Sequence, residues 1–239
     1  MVARELVEGA RLAGLARAIL TQPEAAWWFE PIDRGSQLWI SQTKERPNPA
    51  AVVTPTGEPD SWERYAQKPR GGLHTSTGVD GTSSVLPTLA AGTSDYAVDV
   101  SLPVTFYRLQ IAADARVFEV DGSRAWRSFC LSYPATGEDG RVVTNWAAAA
   151  RDWDAVHTSL GGMLVAEQVR VDGAAGWTEH NGWDFEQTVW LRWGFTEATA
   201  LGELTGYPDY PVALRQPAAF LLDGEKPWRR VISFAADSE

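Results

Sequence analysis

Asp184-Phe185-Glu186 places two carboxylates one residue apart, at the head of an apolar, aromatic run that continues through Gln187-Thr188-Val189-Trp190-Leu191-Arg192-Trp193. The β-branched and aromatic content predicts a long strand over Glu186–Phe195. Side chains two apart on a strand share a face, so Asp184 and Glu186 would be aimed together. Such a pair belongs either at a solvated strand end or in a site that uses it. A carboxylate there can stabilise an oxocarbenium-like centre as a glycosidic bond breaks, or accept a proton as general base. Trp183 and Phe185 would partly desolvate the pair, which suits acid–base work.

Two further constellations carry chemistry. Gly72-Leu73-His74-Thr75-Ser76-Thr77-Gly78 sets three consecutive hydroxyls behind a glycine turn. Hydroxyls on a strand can bind a ligand's ribose or phosphate, or orient a nearby carboxylate. The segment lacks the Gly-x-x-x-x-Gly-Lys pattern of a phosphate-cradling loop, and no Gly-x-Ser-x-Gly elbow occurs. Asp152-Trp153-Asp154-Ala155-Val156-His157-Thr158 carries His157, either a structural strand histidine or a switchable acid–base group.

The elements that must position these residues read as α+β. The chain has 239 residues, enough for one large domain with a real core, and it is read as a single domain over 1–239. Within it, 1–30 is an N-terminal helical segment, 35–195 the core and 196–239 a C-terminal extension. Apolar residues near helical spacing predict a helix over 2–20, with Thr21-Gln22-Pro23-Glu24 ending it and starting a second short turn. Strands are predicted at Gln37–Ser41, Val104–Ile111, Val117–Val120 and Ala155–Leu160, with further strands possible at Ala218–Leu222 and Val231–Phe234. Four prolines (Pro47, Pro49, Pro55 and Pro59) make 46–60 a loop. Helical segments are expected at Trp62–Gln67, from Ser123 as N-cap through Trp126, and at Trp146–Arg151. Met163–Val171 reads as helix or strand, and the Gly-, Ser- and Thr-rich 78–94 as irregular.

Composition narrows the function classes. A formal net charge of −10 opposes non-specific binding to nucleic acid or anionic membranes. Glu5, Glu8, Arg11 and Arg17 interrupt any secretory signal, and no run approaches the roughly 20 apolar residues of a membrane-spanning helix, so a cytoplasmic location is expected. The single cysteine, Cys130, excludes an intramolecular disulfide and reads as a buried structural thiol. Three histidines and one cysteine show no zinc spacing, so no metal is expected. Twelve tryptophans suit either a core or the stacking of flat ligands.

In order along the chain, a strand at Gln37–Thr43, the Thr75-Ser76-Thr77 segment and a distal strand opened by Glu186 resemble the ADP-ribosyltransferase superfamily, in its bacterial, toxin-like branch with an Arg…Ser-Thr-Ser…Glu-x-Glu signature. Asp154-Ala155-Val156-His157 is similar to the Tyr-Asp-x-Val strand of such domains. The resemblance implies two packed, mostly antiparallel sheets forming an NAD cleft, with NAD as substrate. It implies Glu186 as the catalytic glutamate that promotes loss of nicotinamide, and Asp184 as the acid acting on the acceptor. Gly72, His74, Thr75, Ser76 and Thr77 would shape the NAD pocket. Trp39 or Trp62 would stack nicotinamide. The family's first-strand Arg or His is missing from Leu38-Trp39-Ile40-Ser41, leaving Arg34, Lys44 and Arg46 beside it, of which Arg34 is the candidate for the dinucleotide.

The expected function is therefore NAD-dependent mono-ADP-ribosyl transfer, or NAD hydrolysis, to an acceptor the sequence does not name: protein, small molecule, nucleic acid or water. The alternative is a Trp-rich, non-catalytic module for carbohydrate or protein. A glycoside hydrolase using Asp184 or Glu186 ranks last, because no second carboxylate is specified.

Overall fold

A computed structural model describes residues 21–41, 43, 45–78, 103–183 and 185–204. The expected helix over 2–20, the irregular 78–94 (apart from Gly78), the strands at 218–222 and 231–234, and Asp184 lie outside the described residues.

The strands are β1 (Gln37–Ser41), β2 (Leu73–Thr77), β3 (Val104–Ile111), β4 (Val117–Val120), β5 (Pro134–Thr136), β6 (Val142–Thr144), β7 (Ala155–Thr158), β8 (Arg170–Val171), β9 (Thr178–Glu179), β10 (Gln187–Trp190) and β11 (Phe195–Leu204). Seven of them form one sheet in the order β11-β3-β1-β2-β10-β7-β4, with β5-β6 and β8-β9 as small two-stranded ribbons. Every pairing in the large sheet is antiparallel except β4–β7, which is parallel. The α+β class holds. The described strands are linked edge to edge in one order, in two halves that share β2, β11-β3-β1-β2 and β2-β10-β7-β4, and Leu109 and Phe195 of the first half meet Ala155 and Trp190 of the second in one apolar cluster. The link is narrow. β2 pairs with β10 through Leu73–Thr75, then passes to β1 with only Ser76 and Thr77 in register.

The register explains the core. Val189 lies opposite Val156, and Trp190 opposite Ala155. Val156 and Val189 pack with Trp126, Phe129, Trp146 and Trp183 in one cluster. Ala155 and Trp190 pack with Leu73, Leu109 and Phe195 in the other. Strand alternation thus gives the sheet two apolar faces. The helices Ser123–Ser132 and Trp146–Asp152 cover the first face. Four tryptophans, Trp126, Trp146, Trp183 and Trp190, are fully buried, so a good part of the tryptophan content is core. Cys130 is buried as expected, and burial pushes its thiol up to about 12, too high for reactivity near neutral pH.

Several boundaries differ from the sequence reading. The long strand Glu186–Phe195 is broken after Trp190. There the amides of Leu191 and Arg192 both donate to the Asp154 carbonyl, and the chain crosses to pair with β3 as β11. Gly194 permits the crossing, because a Cβ at that position would run into the Trp190 ring. The helix at 123 is capped by Gly122, with Ser123 already inside it. The strand from Ala155 stops at Thr158, because Ser159 accepts from the Gly162 amide and N-caps the helix Leu160–Ala166. Met163–Val171 divides between that helix and β8.

Gly162 sits where this helix presses on β4, and a Cβ there would meet the Val120 carbonyl oxygen. A backbone atom cannot move aside as a flexible side chain can. Gly162→Ala is therefore expected to cost about 1–3 kcal/mol, read as a lower urea midpoint at unchanged m-value.

Candidate active site

The parallel β4–β7 pairing places Glu119 directly opposite His157, and the antiparallel β7–β10 pairing places Thr188 on the other side of His157. All three share a sheet face with Ala155 and Trp190 by strand alternation. Glu186 lies two residues before Thr188, just ahead of β10 rather than within it.

Glu186 is 1 % exposed, and three donors meet its carboxylate. Ser76 Oγ donates to Oε2 at 2.5 Å. The Thr77 amide donates to the same group at 3.0–3.1 Å. His157 Nε2 lies 3.1 Å from Oε1. The local cause is the handover of β2 from β10 to β1. Past Thr75 no residue of β10 pairs with β2, so the Thr77 amide finds the Glu186 side chain in place of a ladder carbonyl. A buried carboxylate needs such donors, because an unpaired one costs several kcal/mol.

His157 is 2 % exposed and bridges two acids, with Nδ1 2.5 Å from Glu119 Oε2 and Nε2 facing Glu186. Burial alone would push its imidazole down. The hydrogen bonds and charges of Glu186 and Glu119 outweigh burial and raise it to about 9. The ring is an imidazolium at neutral pH and donates from both nitrogens. Glu119 is the partly open end of the chain, its side chain 36 % exposed.

A cleft of about 210 Å³ opens over this group, lined by Trp27, Glu30, Pro31, Asp33, Thr77, Gly78, His157, Ser159 and Glu186. Its wall comes from the 3-10 helix Pro23–Phe29 and the residues after it. That helix is seated by Phe29, whose ring fills the space a Cβ at Gly161 would take. The cleft is acidic: among the described residues, Glu30, Asp33 and Glu186 line it with a single imidazolium and no Lys or Arg. Among the described residues, no group of three or more His, Cys, Asp or Glu is arranged to hold a metal ion.

Of the residues read from sequence, Glu186, Ser76, Thr77 and His157 come together, and the others that the resemblance implies, where described, are held elsewhere. Thr75 Oγ donates to Gln37 Oε1 at 2.7 Å and accepts from the Trp190 indole at 2.9 Å, inside the sheet. His74 pairs with Gln187 at 3.1 Å, and burial, followed by the Lys68 charge, lowers it to about 4. Gly72 lies close under Val189 and lines no part of the cleft. Trp39 packs on Tyr107 with ring centroids 5.8 Å apart. Trp62 is exposed beneath Arg70. Arg34 is committed to the carbonyls of Ala112 and Ala115 at 3.0 and 2.9 Å, so it ties the β3–β4 turn instead of facing the cleft.

Trp27, Glu30, Asp33 and Glu119 had no place in the sequence reading, and His157 entered only as one of two options. Glu119 carried one signal, an acid between Phe118 and Val120 in an otherwise apolar strand. Comparison with protein-family models, curated proteins and solved structures finds no match to this chain.

Proposed function

We propose that the cleft cleaves the N-glycosidic bond of NAD, releasing nicotinamide and passing ADP-ribose to an acceptor or to water. One observation carries this reading: Glu186, fixed by Ser76 Oγ and the Thr77 amide, ends at the cleft, in the relation of hydroxyl strand to glutamate that the resemblance to ADP-ribosyltransferases implies. A positive charge develops on the ribose as nicotinamide leaves, and the pre-aimed Glu186 carboxylate stabilises it most in the transition state. The acidic lining favours a cationic pyridinium ring, and Trp27 offers it a flat apolar neighbour. At about 210 Å³ the cleft is smaller than the roughly 300–1,000 Å³ of whole-ligand pockets. It accommodates the nicotinamide–ribose end, and the diphosphate lies beyond it.

A second reading, glycoside hydrolysis, gains from Glu30 and Asp33 lining the same cleft as Glu186, which supplies the second carboxylate such chemistry needs. Incubation with NAD and, separately, with a panel of nitrophenyl glycosides distinguishes the two. Nicotinamide release above the spontaneous rate is expected. Nitrophenol release without nicotinamide would favour the second reading, and no release of either would overturn both.

A further inference from the structure

Glu119 touches two parts of the cleft at once. Its Oε2 lies 2.5 Å from His157 Nδ1, and its Oε1 accepts the Ile32 amide at 3.1 Å. Ile32 sits between Pro31 and Asp33, both of which line the cleft, whereas Glu119 itself does not. We propose that Glu119 is a positioning residue that fixes the floor and the wall of the cleft together: through His157 it orients and charge-balances Glu186, and through Ile32 it holds the Glu30–Asp33 segment over that carboxylate.

The chemistry of the pair requires both ends. A carboxylate at each ring nitrogen favours a proton on both, which holds the ring as a cation. The groups facing His157 are Glu119 from β4 and Glu186 from the segment before β10; Glu30 and Asp33 from the wall line the same cleft, and Ser76 and Thr77 from β2 complete the shell of Glu186. Were Glu119 neutral, Nδ1 would become an acceptor, and Glu186 would keep its Nε2–H donor but lose its adjacent cation. The Ile32 bond is separable: an amide at 119 can still accept from the Ile32 amide, and an alanine cannot.

The catalytic half of this inference rests on the NAD-cleavage reading, and the structural half does not. The test is 15N NMR titration of the three histidines in wild type, Glu119→Gln and Glu119→Ala, together with the pH profile of nicotinamide release. Glu119→Gln should lower the His157 midpoint by at least one pH unit and move the alkaline limb of kcat with it, at near-normal KM. Glu119→Ala should do the same and also raise KM several-fold, because the wall loses its anchor. A His157 midpoint unmoved in Glu119→Gln overturns the inference, whether or not NAD is cleaved. A moved midpoint with no cleavage by wild type supports the positioning of His157 and refutes the NAD reading alone. A moved midpoint with cleavage but an unmoved pH profile overturns the catalytic half.

Discussion

Glu186→Gln should reduce nicotinamide release from NAD by about 10²–10³-fold, the usual loss when one pre-aimed electrostatic group is removed from a transition state. The substitution keeps the shape of the side chain and takes away its charge and one acceptor oxygen. On the proposed reading, the ground-state nicotinamide–ribose unit spreads its positive charge over the pyridinium ring, whereas the transition state would move it toward a ribose carbon beside Glu186. The loss should therefore fall on kcat, with KM changing little. Folding is a separate matter. The carboxylate accepts from Ser76, Thr77 and His157, and a glutamine offers a single carbonyl oxygen to those three donors. Its amide must turn toward one of them, and the Ser76 hydroxyl, which can rotate and accept, is the one that yields. A moderate fall in stability should accompany the kinetic loss. Circular dichroism and a urea midpoint show whether the variant is folded. A folded Glu186→Gln variant with wild-type turnover would remove Glu186 from the chemistry and leave it a buried structural acid that caps the Thr77 amide.

Glu186 was legible because two independent signals met on it: an acid at the head of an aromatic strand, and a hydroxyl segment in the right order upstream. Their meeting across 110 residues is a tertiary fact, and only the resemblance pointed to it. Local chemistry was otherwise a good guide to β1, β3, β4 and the helix Trp146–Asp152, whose alternation or capping is written in their own residues. It failed where the deciding contact comes from far away. Within Glu186–Phe195 only Gly194 hints at a bend, and the break itself is set by the Asp154 carbonyl taking two amides and by the Trp190 ring covering Gly194. Arg34 looked like the missing dinucleotide ligand because it is the basic residue before β1. Its guanidinium is spent on two carbonyls of a turn nearly eighty residues on. Glu119 was invisible because a four-residue strand with one acid reads as half-solvated, and only the parallel pairing with β7 turns that acid onto His157.

The same two histidine environments give stability a maximum near pH 6.5, falling on both sides. His157 titrates at about 9 in the fold against 6.5 in the unfolded chain. Between those values the native state holds a proton that the unfolded state has released, so stability falls as pH rises. The full contribution is present below pH 6.5, and about 3 kcal/mol of it is lost by the time pH passes 9. His74 has the opposite sign. Burial lowers it to about 4, so between pH 6.5 and 4 the unfolded chain takes up a proton that the fold refuses, and stability falls as pH drops, again by about 3 kcal/mol. His180 adds to the acid limb, since burial lowers it despite its bond to Glu167. Urea midpoints from pH 4.5 to 9.5 should trace this curve, and single variants should take it apart. His157→Gln flattens the alkaline limb and leaves the acid limb in place, and His74→Gln reduces the acid limb to the share of His180 and leaves the alkaline limb in place. If the alkaline slope survives in His157→Gln, the imidazole is not held as a cation between Glu119 and Glu186, and the charge balance assigned to the floor of the cleft fails with it.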